Sequence, residues 1–314
     1  MPAFLTHYSC GVLQAGKLSL PVTESCISAH RNVYATALAG PDIFFYSVLE
    51  FLRPGMTIGR RMHKYRTGEF LRNLYTYAVS FSGEERNIAI AYFTGFLGHY
   101  CLDANAHPLV YKKTYDPSES KALGKHFRYE AAMDAFCCRT FLGRDIRRCG
   151  QMSMIRLTRM EKDVTAKLMS LAVRKTYPEL GGDPSPRRMR ALLSEYYLIT
   201  GLLIDPSGFR EWAFLKLEKL VPGYPILSPL FINGNLYGLK EKDFLQFRRR
   251  FERGGEMFGK LLAAEEKALR DPSFEPEFFR QIGNRSYHTG GKAEIMPQFP
   301  QDHRVKNGKQ SRTN

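Results

Sequence analysis

The chain of 314 residues contains no run approaching the ~18–20 continuous apolar residues that a membrane-crossing helix needs, so no spanning segment is expected. Its opening stretch, MPAFLTHYSCGVLQAGKLSL, has neither a basic n-region nor an apolar h-region, and no secretory signal is expected from it. Six cysteines (Cys10, Cys26, Cys101, Cys137, Cys138 and Cys149) form no CxxC pair, and the adjacent Cys137 and Cys138 are poorly placed to bridge each other. A reduced, cytoplasmic protein is therefore the expectation, with the cysteines acting as small hydrophobes. Strand-type alternation is scarce, no repeat of fixed period is present, and tryptophan occurs once, as Trp212. Acid is in deficit: 46 Lys+Arg against 31 Asp+Glu leave a net charge of +15. Both halves of the chain carry the excess, so it reads as a general attraction to anions (nucleic acid, acidic lipid headgroups or phosphate-bearing substrates) more than as one dedicated binding stripe.

What the chain does have is helical periodicity. From Glu84 to Ala106, Ile88, Ala91, Tyr92, Gly95, Phe96 and His99 recur at spacings of three and four, the signature of one helix face. Further helices are expected at about 42–52, 65–81, 124–142, 153–175, 186–203, 208–220, 240–269 and 274–282. Breakers separate them: Pro54-Gly55, Asp116-Pro117, Gly181-Gly182-Asp183-Pro184, Asp205-Pro206 and Asp271-Pro272, with Asn233-Gly234 marking a loop. The fold class is all-α. The expected division is a catalytic region over 1–150, a helical region over 151–289 packed on the first, and a disordered basic tail over 290–314.

Histidine is uncommon and unevenly placed: His7, His30, His63, His99, His107 and His126, six of the eight, fall before residue 127. In GHYCLDANAHPLVY, His99, Asp103 and His107 stand at i, i+4 and i+8, which stacks them along one face of a helix. Two imidazoles and a carboxylate aimed the same way suit Zn²⁺, which takes nitrogen and oxygen ligands. Gly95 and Gly98 remove bulk one turn earlier so that another element can approach, and Pro108 is expected to stop the helix. A second helix presents His126 and Glu130 at i and i+4, with Asp134 continuing the face. Asp42 follows Gly40-Pro41, where the backbone aims its carboxylate. Buried unpaired charge is expensive, and a shared metal ion would satisfy these groups together. Phe44, Phe45, Tyr46, Tyr100 and Tyr129 read as core rather than substrate pocket.

Those residues in that order, with THY near the N-terminus, GPD before an aromatic run, His63, HxxxDxxxH and HxxxE, resemble the zinc-dependent phospholipase C family over residues 1–150. That family spans secreted phosphatidylcholine-preferring enzymes, alpha-toxins and, as a related form, the catalytic domain of glycosylphosphatidylinositol-specific phospholipase D. The resemblance implies an all-α domain with His7, Asp42, His63, His99, Asp103, His107, His126 and Glu130 as metal ligands and Asp42 as the carboxylate that orients or deprotonates water. It implies two or three zinc ions, because secreted members use a terminal tryptophan as a ligand and this chain has only Trp212. The close 103-to-107 step is nearer to the phospholipase D relative. His30 has no counterpart and is set aside as a supporting residue behind the ligands. The implied substrate is a phospholipid or related phosphodiester, with peripheral contact on anionic membrane at the inner surface. Zinc-dependent nuclease activity, or a non-catalytic metal-stabilised module, are the alternatives. Nucleic acid is the less favoured partner because no basic stripe with interleaved aromatics is present, and an HD-type phosphohydrolase is excluded by the lack of adjacent His-Asp.

Overall fold

A computed structural model describes residues 4–17, 19–47, 58–180, 184–221 and 227–294. The chain is all-α, and among the described residues the only β-type pairings are isolated bridges. A central helix, α6 (Gly83–Thr114), is buried on every side along its middle: Ile88 to Ala104 are in the core without interruption. The other helices of the N-terminal part are α1 (Phe4–Ala15), α2 (Pro21–Ala29), α3 (Arg31–Ala37), α4 (Ile58–Lys64), α5 (Thr67–Ser80) and α7 (Glu119–Leu142). A 3₁₀ turn over Gly40–Tyr46 joins α3 towards α4. After a short α8 (Gln151–Met154) come α9 (Arg159–Thr176), α10 (Pro186–Leu203), α11 (Phe209–Leu220), α12 (Glu241–Arg270) and α13 (Glu275–Ile282).

Local chemistry sets several boundaries. Thr158 and Glu161 form a reciprocal capping box at the start of α9, satisfying two otherwise orphaned donors. Pro186 occupies the first turn of α10, where its missing N–H costs nothing, and Ser185 caps it. The start of α2 is capped from far away: the Glu266 carboxylate on α12 accepts from Val22 N, Thr23 N and the Thr23 hydroxyl. Close approach to α6 depends on glycine, as expected. A Cβ on Gly95 would stand 2.4 Å from the Tyr34 carbonyl, and one on Gly98 would stand 2.9 Å from Leu38 Cδ2, both of the α3 side.

Three expectations are revised, and four helices are added to the expected set. Pro108 does not end α6, which runs on to Thr114 because Val110 and Thr114 are buried against neighbouring helices and that packing outweighs the local cost of proline. The helix expected over 42–52 is a 3₁₀ turn over 40–46, and positions 48–52 lie outside the described residues. The single helix expected over 153–175 is interrupted after Met154 and restarts at the Thr158 cap. The helices α1 to α4, of 7 to 12 residues, lie outside the expected set. The C-terminal region packs on the first: α12 lies along α6 and α1, and α10 lies against the 3₁₀ turn and α9. Ordered contacts continue past position 290, with Glu294 N donating to Lys64 O and Ala293 N to Asn284 O. The remainder of the expected tail, 295–314, lies outside the described residues.

Candidate metal centre

Asp103 is the hub of the site. It sits on α6 between His99 and His107, one turn from each, and all three are buried. Its Oδ1 lies 3.2 Å from His7 Nε2, while Oδ2 lies 3.0 Å from His99 Nε2 and 3.3 Å from His107 Nδ1. His63 Nε2 stands 3.9 Å from the same Oδ2 and 3.1 Å from Asp42 Oδ1. From α7, Glu130 Oε1 is 3.2 Å from His107 Nε2 and 3.0 Å from His126 Nε2. The eight side chains anticipated from the sequence and its family resemblance thus form one continuous constellation, drawn from α1, the 3₁₀ turn, α4, α6 and α7.

Each arrival has a local cause. His7 on α1 stacks on His99 with ring centroids 4.1 Å apart and planes inclined by 16°. α1 is held there by Asp134, whose carboxylate accepts from Leu5 N, Thr6 N and the Thr6 hydroxyl. Asp134 therefore caps a helix rather than extending the ligand face, and burial pushes its carboxyl up to about 8. Gly40 has a φ of +53°, and a Cβ there would stand 2.3 Å from His99 Cγ. Glycine lets the chain turn across the imidazole and delivers Asp42 at the first turn of the 3₁₀ segment.

Several imidazoles are oriented from behind. A carbonyl can only accept, so His99 Nδ1 donates to Leu38 O at 3.0 Å, His63 Nδ1 to Gly59 O at 2.7 Å and His107 Nδ1 to Tyr287 O at 3.2 Å. For His99 and His63 this leaves Nε2 facing the centre, and His107 turns its Nε2 to Glu130; such backing is typical of histidine ligands. The carboxylates are ionised despite burial, which alone would raise them. The imidazoles of His107, His99 and His7 hold Asp103 well below its usual range, and His126 and His107 do the same for Glu130. Asp42 is held at about 2, burial being outweighed by charges that include those of His63 and His99. His107 rises to about 9 because Asp103 and Glu130 outweigh its burial, whereas burial and the His99 charge lower His7.

The polar inventory of this core is incomplete without a further partner. His7 Nδ1, His99 Nε2 and Asp103 Oδ2 are buried and make no hydrogen bond, although His99 Nε2 and Asp103 Oδ2 are in contact. Orphaned buried donors and acceptors are costly and rare. Closeness without hydrogen-bond alignment is how ligand atoms gather around a shared ion: two donors each ~2.1 Å from a tetrahedral Zn²⁺ lie ~3.4 Å apart. Three groups have that compactness, namely His7–His99–Asp103, Asp42–His63–His99 and His107–His126–Glu130, the first two sharing His99. The residues fit zinc.

A family model described as zinc dependent phospholipase C matches residues 3–179, more than half of the chain and all eight residues of the constellation. The chain belongs to that family. Membership makes it one of the zinc-dependent phospholipase C hydrolases and accounts for the all-α architecture. The match runs past the expected limit at residue 150 to take in α9, and stops before α10. No curated protein and no solved structure matches the chain.

Residues beyond that match also line the centre. The segment 283–294 crosses it: Tyr287 N donates to His63 O, Tyr287 O accepts from His107, and His288 Nε2 lies 2.7 Å from the Tyr111 hydroxyl. The His288 ring is 6.2 Å from that of His63 and 6.5 Å from that of His107. Burial, with the His63 and His107 charges, lowers its pKa to about 3, so it is neutral. Nothing in its polar SYHTGG context signals this placement; only the buried Tyr287 beside it hints at anchoring. His30 lies elsewhere, its Nδ1 bonded to Glu161 at 3.0 Å and its Nε2 2.9 Å from Glu84 Oε1, between α9 and α6 instead of supporting a ligand. Phe44, Tyr100 and Tyr129 are core as expected, whereas Phe45 is half-buried with its ring 5.4 Å from that of His63.

Proposed function

We propose that the protein hydrolyses a phospholipid at phosphorus, in the manner of a phospholipase C, with His7, Asp42, His63, His99, Asp103, His107, His126 and Glu130 as its zinc ligands. When bound, zinc polarises a phosphoryl oxygen and lowers the pKa of water towards ~7. The chain's own part is to gather and orient. Asp103 and Glu130 stay ionised and bind, and their histidine neighbours are fixed by Leu38, Gly59 and Tyr287 carbonyls. Asp42, partly open to solvent and ionised, hydrogen-bonds the attacking water and aims it at phosphorus. A carboxyl held at about 2 suits orientation better than proton removal, since an effective base has a pKa near the working pH. Water oxygen bonds to phosphorus, the bond to the diacylglycerol oxygen breaks, and that oxygen leaves with a proton, giving diacylglycerol and a phosphomonoester. The observation that carries this reading is the set of buried, unbonded ligand atoms around Asp103.

Metal analysis of the purified protein before and after chelation, paired with diacylglycerol release from phosphatidylcholine, tests it. Zinc should co-purify, chelation should abolish release, and re-addition should restore it. Asp103→Asn should lose both metal and turnover. Full zinc occupancy in that variant would overturn the ligand set, and release of nucleotides from DNA without diacylglycerol from lipid would transfer the same centre to nuclease chemistry.

A further inference from the structure

Helix α11, outside the family match, has its polarity reversed relative to an ordinary surface helix. Its sequence is FREWAFLKLEKL, and its acids point inward. Glu211 is buried and accepts from Asn233 and the Tyr237 hydroxyl, and Glu218 accepts from Leu227 N, Ser228 N and the Ser228 hydroxyl. The outward face carries Phe209, Trp212, Leu217 and Leu220, with exposures of 65%, 55%, 40% and 75%. Phe209, Trp212, Lys216 and Leu220 follow at spacings of three and four, so they form one stripe. The Phe209 and Trp212 rings stack at 5.8 Å, and Lys216 Nζ lies 5.8 Å from the Trp212 ring centre. Every charge left on this outer face is basic: Arg210, Lys216 and Lys219.

The patch extends beyond one helix. Arg210 donates to Leu202 O at 2.6 Å, which ties the start of α11 to the end of α10. There Leu198 and Leu202, one turn apart, are 63% and 65% exposed. The opposite face of α10 places Tyr196 edge-on against Tyr46, in the 3₁₀ turn that bears Asp42, with ring centroids 4.9 Å apart. A run of exposed aromatic and aliphatic side chains edged by lysine and arginine suits the headgroup boundary of a bilayer, where apolar side chains enter and cations meet acidic lipid. No helix of the described residues is long and apolar enough to cross a membrane, so this contact lies along the surface.

We propose that the outer faces of α10 and α11 form an interfacial docking surface for anionic phospholipid bilayers, with Phe209, Trp212 and Leu220 entering the headgroup region and Lys216 and Lys219 facing acidic lipid. The proposal rests on the phospholipase reading for its biological sense, but it is tested by binding rather than turnover.

Trp212, the sole tryptophan, is its own probe. The full-length protein is titrated with vesicles of phosphatidylcholine containing phosphatidylserine, reading Trp212 emission and its quenching by brominated acyl chains. Emission should shift to the blue, bromine should quench it, and added salt should weaken binding. Phe209→Ser combined with Leu220→Ser should weaken partition by on the order of tenfold or more, and Lys216→Glu combined with Lys219→Glu should remove the preference for phosphatidylserine. The control Phe274→Ser, an exposed aromatic outside the patch, should bind as the parent does. All variants should hydrolyse a soluble, monomeric phosphocholine ester at the parental rate. Vesicle binding without quenching of Trp212, binding unaffected by the α11 substitutions, or a blue shift produced by self-association without lipid would each overturn the proposal. Docking with no hydrolysis of any phosphodiester would leave this surface standing and remove the phospholipase reading instead.

Discussion

At the residue scale, Gly40 shows how a missing side chain shapes the proposed metal site. Alanine there would place Cβ 2.3 Å from His99 Cγ on a backbone with φ of +53°, so either the imidazole or the Asp42 turn must move. Gly40→Ala is expected to retain the fold yet bind zinc ~10–100-fold more weakly in chelator competition, the usual cost of disturbing groups behind metal ligands. Glu265 supplies a second residue-scale prediction, remote from the ligands. The Thr94 hydroxyl has one hydrogen and lies against both Ile90 O, at 2.9 Å, and Glu265 Oε1, at 2.5 Å. That hydrogen can go to either acceptor, and burial outweighs the bond from Thr94 and pushes the Glu265 carboxyl up to about 8. The folded state then keeps a proton that the unfolded chain releases above its ordinary pKa of ~4.3. Stability from this group is full below that pH and declines as pH rises towards about 8. Comparing Glu265→Gln with the parent by thermal unfolding at pH 5.5 and 8.5 should show the variant gaining ~2–6 °C relative to the parent at the higher pH. A difference that ignores pH would refute the neutral carboxyl. The His99, Asp103 and His107 triplet was legible in sequence because helical periodicity is local, whereas the capping role of Asp134 was not, because its partners lie on α1.

Among elements, the segment 283–294 and helix α6 differ most from what local rules suggest. Gly68 at the start of α5 receives the segment: a Cβ there would stand 1.8 Å from Gly283 O, and Gly68 N and the Thr67 hydroxyl both bond Asn284 Oδ1. Gly68→Ala must therefore lift the segment away from the His63 and His107 contacts at Tyr287. Urea unfolding should register ~1–3 kcal/mol lost, and zinc affinity should fall with it. Unchanged stability together with unchanged affinity would show that the segment contributes nothing to the centre. Sequence patterning found α10, whose expected limits of 186 and 203 coincide with those observed, because a serine cap, an N-terminal proline and an amphipathic face all agree. It misjudged the end of α6 because proline's local cost was outweighed by burial of the last turns, a tertiary term.

For the whole molecule, the family match ends at residue 179 but the packing does not. α12 lies along α6 and supplies Phe258, Leu261 and Leu262 to the core, and Glu266 caps α2. A fragment of residues 1–179 would expose the flank of the helix that carries three of the proposed ligands. It is expected to be aggregated or loosely packed, without a cooperative unfolding transition, in calorimetry and near-ultraviolet circular dichroism. A monomeric fragment that unfolds cooperatively would show that the C-terminal helices are a separable addition.

The sequence by itself determined which proposed ligand atoms the chain offers and how His99, Asp103 and His107 line up on α6 and His126 and Glu130 on α7, because each of those spacings acts within a single helix. Tertiary structure decided that His7, Asp42 and His63 join them, and that Tyr287 backs His107 from a position 180 residues away. Such contacts form only when the apolar faces of separate helices are buried together, and that three-dimensional packing leaves no fixed spacing in the chain.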